Sequence, residues 1–153
     1  MIRLGILGST RGTNMQPIME AIRQKRLPAM IEIVISNKSD ALILERARSF
    51  GLNAQFVNPK GLTREAFDRN VSHLLAEYAV DLVVLIGYMR ILSGEFVTTW
   101  QNKIINVHPS LLPAFSGKMD LDVHQAVIDA GVSETGIKLN DINTMPCCNK
   151  TAV

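Results

Sequence analysis

Aromatic side chains are scarce: five Phe, two Tyr and one Trp make up 5% of the 153 residues. A core built on stacked rings is therefore excluded. The 47% hydrophobic content must be aliphatic, as in a parallel sheet covered by helices. Cysteine is nearly absent. The two residues, Cys147 and Cys148, are adjacent, which rules out a disulfide framework and suits a reducing compartment. No apolar run approaches the roughly 18 to 20 residues of a membrane span, and the N-terminus enters a strand pattern without a basic, then apolar, leader. The expectation is a soluble, cytoplasmic protein with no membrane partner. Charge of one sign is missing too, because 16 basic and 14 acidic residues leave a net +2, scattered along the chain. That gives no electrostatic reason to expect nucleic acid. His73, His108 and His124 show no ligand spacing with the cysteines, so no metal is expected.

What remains is a chain of one-domain length with a regular alternation. Arg3 to Leu7 reads as a strand, Gly8 to Asn14 as a polar loop, and Met15 to Arg23 as a helix. Ile31 to Ile35 is a second strand, followed by a helix from Asp40 to Phe50 with Asp40 as N-cap and Gly51 as stop. Ala54 to Val57, the helix from Thr63 to Tyr78, and the very apolar strand Val80 to Ile86 repeat the pattern. Ser93 caps a short helix to Trp100, Ile104 to Val107 is a fifth strand, and Leu121 to Ala130 a further helix. Ile137 to Val153 shows no period and is assigned no regular element. The fold class is α/β: a Rossmann-like, doubly wound, mainly parallel sheet with helices on both faces. Ligands in such sheets gather beyond the carboxyl ends of the strands, where Gly8 to Asn14, Asn37, Gly87 to Leu92 and His108 fall.

Three stretches carry candidate chemistry. Asn106 and His108 are two apart, on one side of an extended strand, and pair an amide donor with a proton carrier ahead of Pro109 and Pro113. Such a pair suits oxyanion stabilisation with general acid–base work. A carboxylate should orient the imidazole, and Asp120, Asp122 and Asp141 are the candidates. The loop Gly8 to Asn14 offers free backbone N–H groups before a helix, either an ordinary tight turn or a phosphate site in which Thr13 and Asn14 add donors. It lacks the P-loop Lys and the G-x-G-x-x-G spacing, which disfavours ATP and NAD. Tyr88 to Leu92 is either a capping loop with core residues or an apolar wall for a heterocycle. Arg64 reads as a solvated charge, His73 as structural among Val71, Leu74 and Leu75, and His124 as a helix decoration.

Together these stretches resemble the folate-dependent phosphoribosylglycinamide formyltransferases. The residues that carry the likeness are Gly12, Thr13 and Asn14; Ile35 to Lys38; Met89, Arg90, Ile91 and Leu92; and Asn106 through Pro113. The resemblance implies formyl transfer from 10-formyltetrahydrofolate to the amine of glycinamide ribonucleotide, without metal. By it, Gly12, Thr13 and Asn14 hold the ribonucleotide phosphate. Arg64 and Met89 to Leu92 line the folate site, and Asn106 and His108 are catalytic. Its partners are small molecules, and a homodimer is compatible with it.

The likeness is read over residues 1–136, with 137–153 as a non-matching tail. Roughly the last quarter of a family chain is then absent or replaced, including the aspartate that pairs with the family's histidine. The expectation is a truncated or frameshifted product with little or no transferase activity. Two other readings stand beside transfer: an inactive folate- or nucleotide-binding remnant, and a 10-formyltetrahydrofolate hydrolase. The hydrolases and the methionyl-tRNA formyltransferases resemble Asn106 to Pro113 but carry extra domains, and the first loop favours the ribonucleotide enzyme.

Overall fold

A computed structural model describes residues 1–108 and 138–141 in backbone, with side chains through Asn106. Six strands form one sheet: β1 (Ile2–Gly8), β2 (Ala29–Ser36), β3 (Ala54–Phe56), β4 (Leu82–Ile86), β5 (Ile104–His108) and β6 (Lys138–Asp141). Their order is β3-β2-β1-β4-β5-β6, with the first five parallel and β6 antiparallel to β5. The expected helix at 121–130, the Pro109 to Pro113 segment, His124 and both cysteines lie outside the described residues.

Four helices connect the parallel strands: α1 (Met15–Arg23), α2 (Leu42–Ser49), α3 (Arg64–Glu77) and α4 (Gly94–Thr99). In α1, Met15 is buried and Ile18, Met19 and Ile22 pack partly against the same core, the three-and-four spacing of an amphipathic helix. Met15 joins Ile43, Leu44 and Ala47 of α2 against Leu4, Ile6, Val34, Val84 and Ile86 on one face of the sheet. On the other face, Phe67, Val71 and Leu75 of α3 and Phe96 of α4 cover Leu7, Ile33, Val83 and Leu85. Burial on both faces explains why β1, β2 and β4 read as continuous apolar runs. Thr63 and Ser93 cap α3 and α4 as expected, accepting hydrogen bonds from Ala66 N and Phe96 N, both at 3.2 Å.

Three expectations are corrected. Asp40 is not the cap of α2: Ala41 holds that position with no side-chain cap, because Ile43 N donates instead to Thr10 O at 3.1 Å in the loop after β1. His73 is exposed on α3 and is no part of its core. The stretch after Gly136, assigned no element, contains β6, paired Asn106↔Asn140 and His108↔Lys138. A strand that draws its stability from the backbone ladder needs no apolar alternation, and Lys138, Asn140 and Asp141 gave none. No helix among the described residues is long and apolar enough to cross a membrane.

Leu75 is fully buried and packs over Gly5, where a Cβ would lie 2.5 Å from Leu75 Cδ2. Truncating Leu75 to Ala is expected to cost about 2–5 kcal/mol, read as a lower urea midpoint at unchanged slope.

Candidate active site

β1 runs on to β2 on one side of the sheet and β4 to β5 on the other, so the chain reverses its winding direction between β1 and β4. At such a switch point the following helices part to opposite faces of the sheet and leave a crevice beyond the carboxyl ends. Register aligns those ends, because Gly8 pairs with Ile86 and Ile86 with Val107. Residues 9–14, 87–92 and His108 therefore start from one row across three neighbouring strands, which spans about 10 Å.

The first loop is folded back on α2. Gly12 has φ +66° and is buried, and a Cβ there would lie 2.3 Å from Ile43 Cγ1, so both backbone and space demand glycine. Beyond it, Met15 N donates to Gly12 O at 3.0 Å and Gln16 N to Thr13 O at 3.2 Å, starting α1. Thr13 is exposed, Asn14 is half-buried at the N-cap without a side-chain cap bond, and the first turn holds no acidic residue. A positive dipole end with no neighbouring carboxylate on its own turn favours an anion.

The second loop approaches the first closely. Gly87 has φ +55°, and a Cβ there would meet Thr10 Oγ1 at 2.3 Å. Ser9 N donates to Gly87 O at 3.1 Å, and Met89 N donates to Ser9 Oγ at 2.9 Å. Met89 and Ile91 remain 50% and 56% exposed, an apolar edge unlike the rest of this core. Arg90 turns the other way, its guanidinium carbon 4.2 Å from the centre of the Phe67 ring.

Asp68 of α3 fixes the end of this loop. It is 1% exposed and accepts a hydrogen bond from Ser93 N at 2.6 Å. Burial pushes its carboxyl above the usual value of 3.8, against lowering by the Ser93 hydrogen bond and by the Arg90 and Arg64 guanidinium groups. Burial also raises the Tyr88 phenol, with the Asp68 carboxylate adding to the effect and Arg90 opposing it. Asp68 Oδ1 and Arg90 Nε are both buried without a hydrogen-bond partner among the described residues. Arg64, exposed at the start of α3, thus lies within electrostatic reach of the carboxylate that anchors residues 88–93.

Asn106 is half-buried in β5 beside Leu85, and His108 ends the same strand. Of the three carboxylates weighed as partners of His108, Asp120 and Asp122 lie outside the described residues. Asp141 pairs with Ile105, while Lys138 stands at the position opposite His108. Three residues of strand, about 10 Å, separate the Asp141 and His108 levels. An apolar cavity of ≈ 460 Å³, lined by Ile2, Leu4, Ile18, Leu82 and Ile105 among others, runs along α1 from the amino ends of the strands as far as Asn14. Apart from Asn14 and Pro17 its lining is aliphatic, unlike the loops beyond the carboxyl ends. Among the described residues no three His, Cys, Asp or Glu side chains converge as a metal site would require.

Sequence reasoning missed Ser9 and Asp68. For Asp68 a signal existed: it interrupts the stripe of Phe67, Val71 and Leu75 with a charge on the core-facing side of a helix. Ser9 had none beyond being the first residue after β1.

An open α/β sheet with two glycine-hinged loops meeting at its switch point, and Asn106 and His108 in the next strand, places the chain in the doubly wound α/β class. Comparison with known proteins narrows this. The profile described as formyl transferase matches residues 2–144. The chain belongs to the formyl transferase family. It is 42% identical over 135 residues to the trifunctional purine biosynthetic protein adenosine-3 of Bos taurus, covering 88% of this chain and 13% of that protein. To the phosphoribosylglycinamide formyltransferase of Escherichia coli (strain K12) it is 38% identical over 136 residues, covering 88% and 63%. The crystal structure of glycinamide ribonucleotide transformylase 1 from Symbiobacterium toebii superposes with TM-score 0.84 at 42% identity, covering 92% of this chain and 66% of that one. The chain thus spans less than two thirds of these relatives' lengths. The family match also runs past Gly136, through β6 to residue 144.

Two outcomes follow from the loop geometry. Replacing Gly12 by Ala forces a positive φ on a residue with a Cβ and a clash with Ile43; a loss of about 1–3 kcal/mol is expected in thermal or urea unfolding. For Asp68 the sign is set by its raised native pKa. The native state holds the proton more firmly than the unfolded one, so this group's stabilising contribution is complete below 3.8 and is lost as pH rises through the native value. Asp68→Asn, which keeps an acceptor for Ser93 N, is expected to flatten that acid-range dependence of Tm; an unchanged slope would show that Asp68 does not titrate as described.

Proposed function

We propose that this chain transfers a formyl group from 10-formyltetrahydrofolate to the amine of glycinamide ribonucleotide. The observation that carries the reading is the switch-point crevice, where the anion-favouring loop 9–14 and the apolar-edged loop 87–92 meet beside Asn106 and His108. The names of the similar proteins from Escherichia coli and Symbiobacterium toebii point to the same acceptor and to transfer of a formyl group. Gly12, Thr13 and Asn14 hold the ribonucleotide phosphate through backbone N–H groups, side-chain donors and the α1 dipole. Met89 and Ile91 flank a flat heterocycle with exposed apolar surface, and Arg90 and Leu92 of the same loop support that wall from the core side. The exposed Arg64 suits the carboxylates of a folate tail.

In the reaction the amine nitrogen bonds to the formyl carbon, and the bond from that carbon to the folate nitrogen breaks. Negative charge appears on the formyl oxygen between those events. The Asn106 amide donates a hydrogen bond to that oxygen. His108 takes the proton from the attacking amine and returns it to the leaving nitrogen. No metal is required for either task.

A second reading, binding of both compounds without turnover, is favoured by one observation: among the described residues the position opposite His108 is Lys138, with no carboxylate there to orient an imidazole. The purified chain, given both substrates, decides between them. Formylated ribonucleotide formed in step with folate release would establish transfer and overturn the low activity expected from the sequence, with Asn106→Ala then lowering kcat about 10²–10³-fold. Formate released without the acceptor would indicate a hydrolase, and tight binding without product would establish the second reading.

A further inference from the structure

Ser9 is 3% exposed and lies on the floor of the crevice. Its hydroxyl donates to Asn37 Oδ1 at 2.5 Å and accepts from Met89 N at 2.9 Å, while its own N–H donates to Gly87 O at 3.1 Å. Each of these partners lies on a different strand-end loop from Ser9: Asn37 follows β2, and Gly87 and Met89 follow β4. The next residue extends the tie, since Thr10 O accepts from Ile43 N in α2. One small side chain, both donating and accepting, thus joins the loops after β2, β1 and β4.

We propose that Ser9 is a positioning residue shared by both ligand loops, setting the phosphate loop and the Met89 to Leu92 wall from a single hydroxyl. This rests on the reading of those two loops as the ribonucleotide and folate sites. The physical ground is that a buried hydroxyl with both capacities filled leaves two orphaned groups when removed. One orphan is the N–H of Met89, the first residue of the wall. The other is the Asn37 amide oxygen, beside the loop that leads in three residues to Gly12. A substitution at position 9 therefore displaces two sites that touch chemically unrelated parts of the reaction, and no covalent neighbour of the second site is altered.

Amide hydrogen exchange on the ligand-free chain tests the tie directly. Ser9→Ala is expected to raise exchange about ten-fold at Met89 and through 10–14 and 37–41 together, while α3 stays as in the unaltered chain. Asn37→Ala, at a half-buried position, gives a milder version of the same pattern and serves if Ser9→Ala does not fold. A rise confined to the residues flanking position 9, in whichever variant folds, would overturn the proposal. Titration supplies the functional half. Affinities for glycinamide ribonucleotide and for a non-reactive folate analogue are expected to fall by similar factors in Ser9→Ala, and not in Ile31→Val, a core change that costs stability away from the loops. Loss of one affinity alone would refute shared positioning. If the unaltered chain binds neither compound while the exchange pattern appears, the ligand reading fails and the Ser9 tie stands.

Discussion

Right-handed crossovers constrain this molecule more than any single contact. A chain that winds outward from β1 through β2 to β3 must place α1 and α2 on one face, and when it returns to β4 and winds the other way α3 and α4 must cover the opposite face. Between β1 and β4 the helices therefore part to opposite faces, while the loops at the two strand ends stay joined through Ser9. Among the described residues, the candidate loops 9–14 and 87–92 and the end of β5 are gathered there. The aliphatic core on both faces is what holds the two strand ends level, through the pairing of Gly8 with Ile86.

The loops at that gap are held by short-range geometry. Gly12 and Gly87 sit where a side chain would collide with Ile43 and Thr10, so each loop is pressed against a neighbour and not projected into solvent. Asp68 carries the opposite burden: a carboxylate buried for the sake of Ser93 N, with Arg90 and Arg64 offsetting part of the desolvation. A buried anion with one oxygen unpartnered among the described residues, near a guanidinium with one nitrogen likewise unpartnered among them, is costly in an otherwise aliphatic interior. Such local cost concentrated around residues 88–93 fits a segment shaped for a ligand more than for stability.

Legibility in the sequence followed the strength of the periodic signal. Strands buried on both faces announced themselves as apolar runs, and the caps at Thr63 and Ser93 followed from residue type alone. β6 was invisible because its four residues contribute only Leu139 to an apolar pattern, and its existence depends on the backbone of β5. The cap of α2 was misread for a related reason: the competing donor–acceptor pair, Ile43 N with Thr10 O, joins residues from different elements. The candidate loops were readable as motifs. Their closure over Ser9 was not, since hydrogen bonds from position 9 to 37 and 89 leave no trace in spacing.

The central claim is that one switch-point crevice takes both compounds side by side. Nuclear magnetic resonance of the isotopically labelled chain tests it most directly, by mapping amide shifts on adding glycinamide ribonucleotide and then a non-reactive folate analogue. The account predicts that the first compound moves Gly12, Thr13 and Asn14, the second moves Gly87 to Leu92, and both move Ser9. Shifts clustered along α1 and the amino ends of the strands, with the crevice residues unmoved, would contradict it.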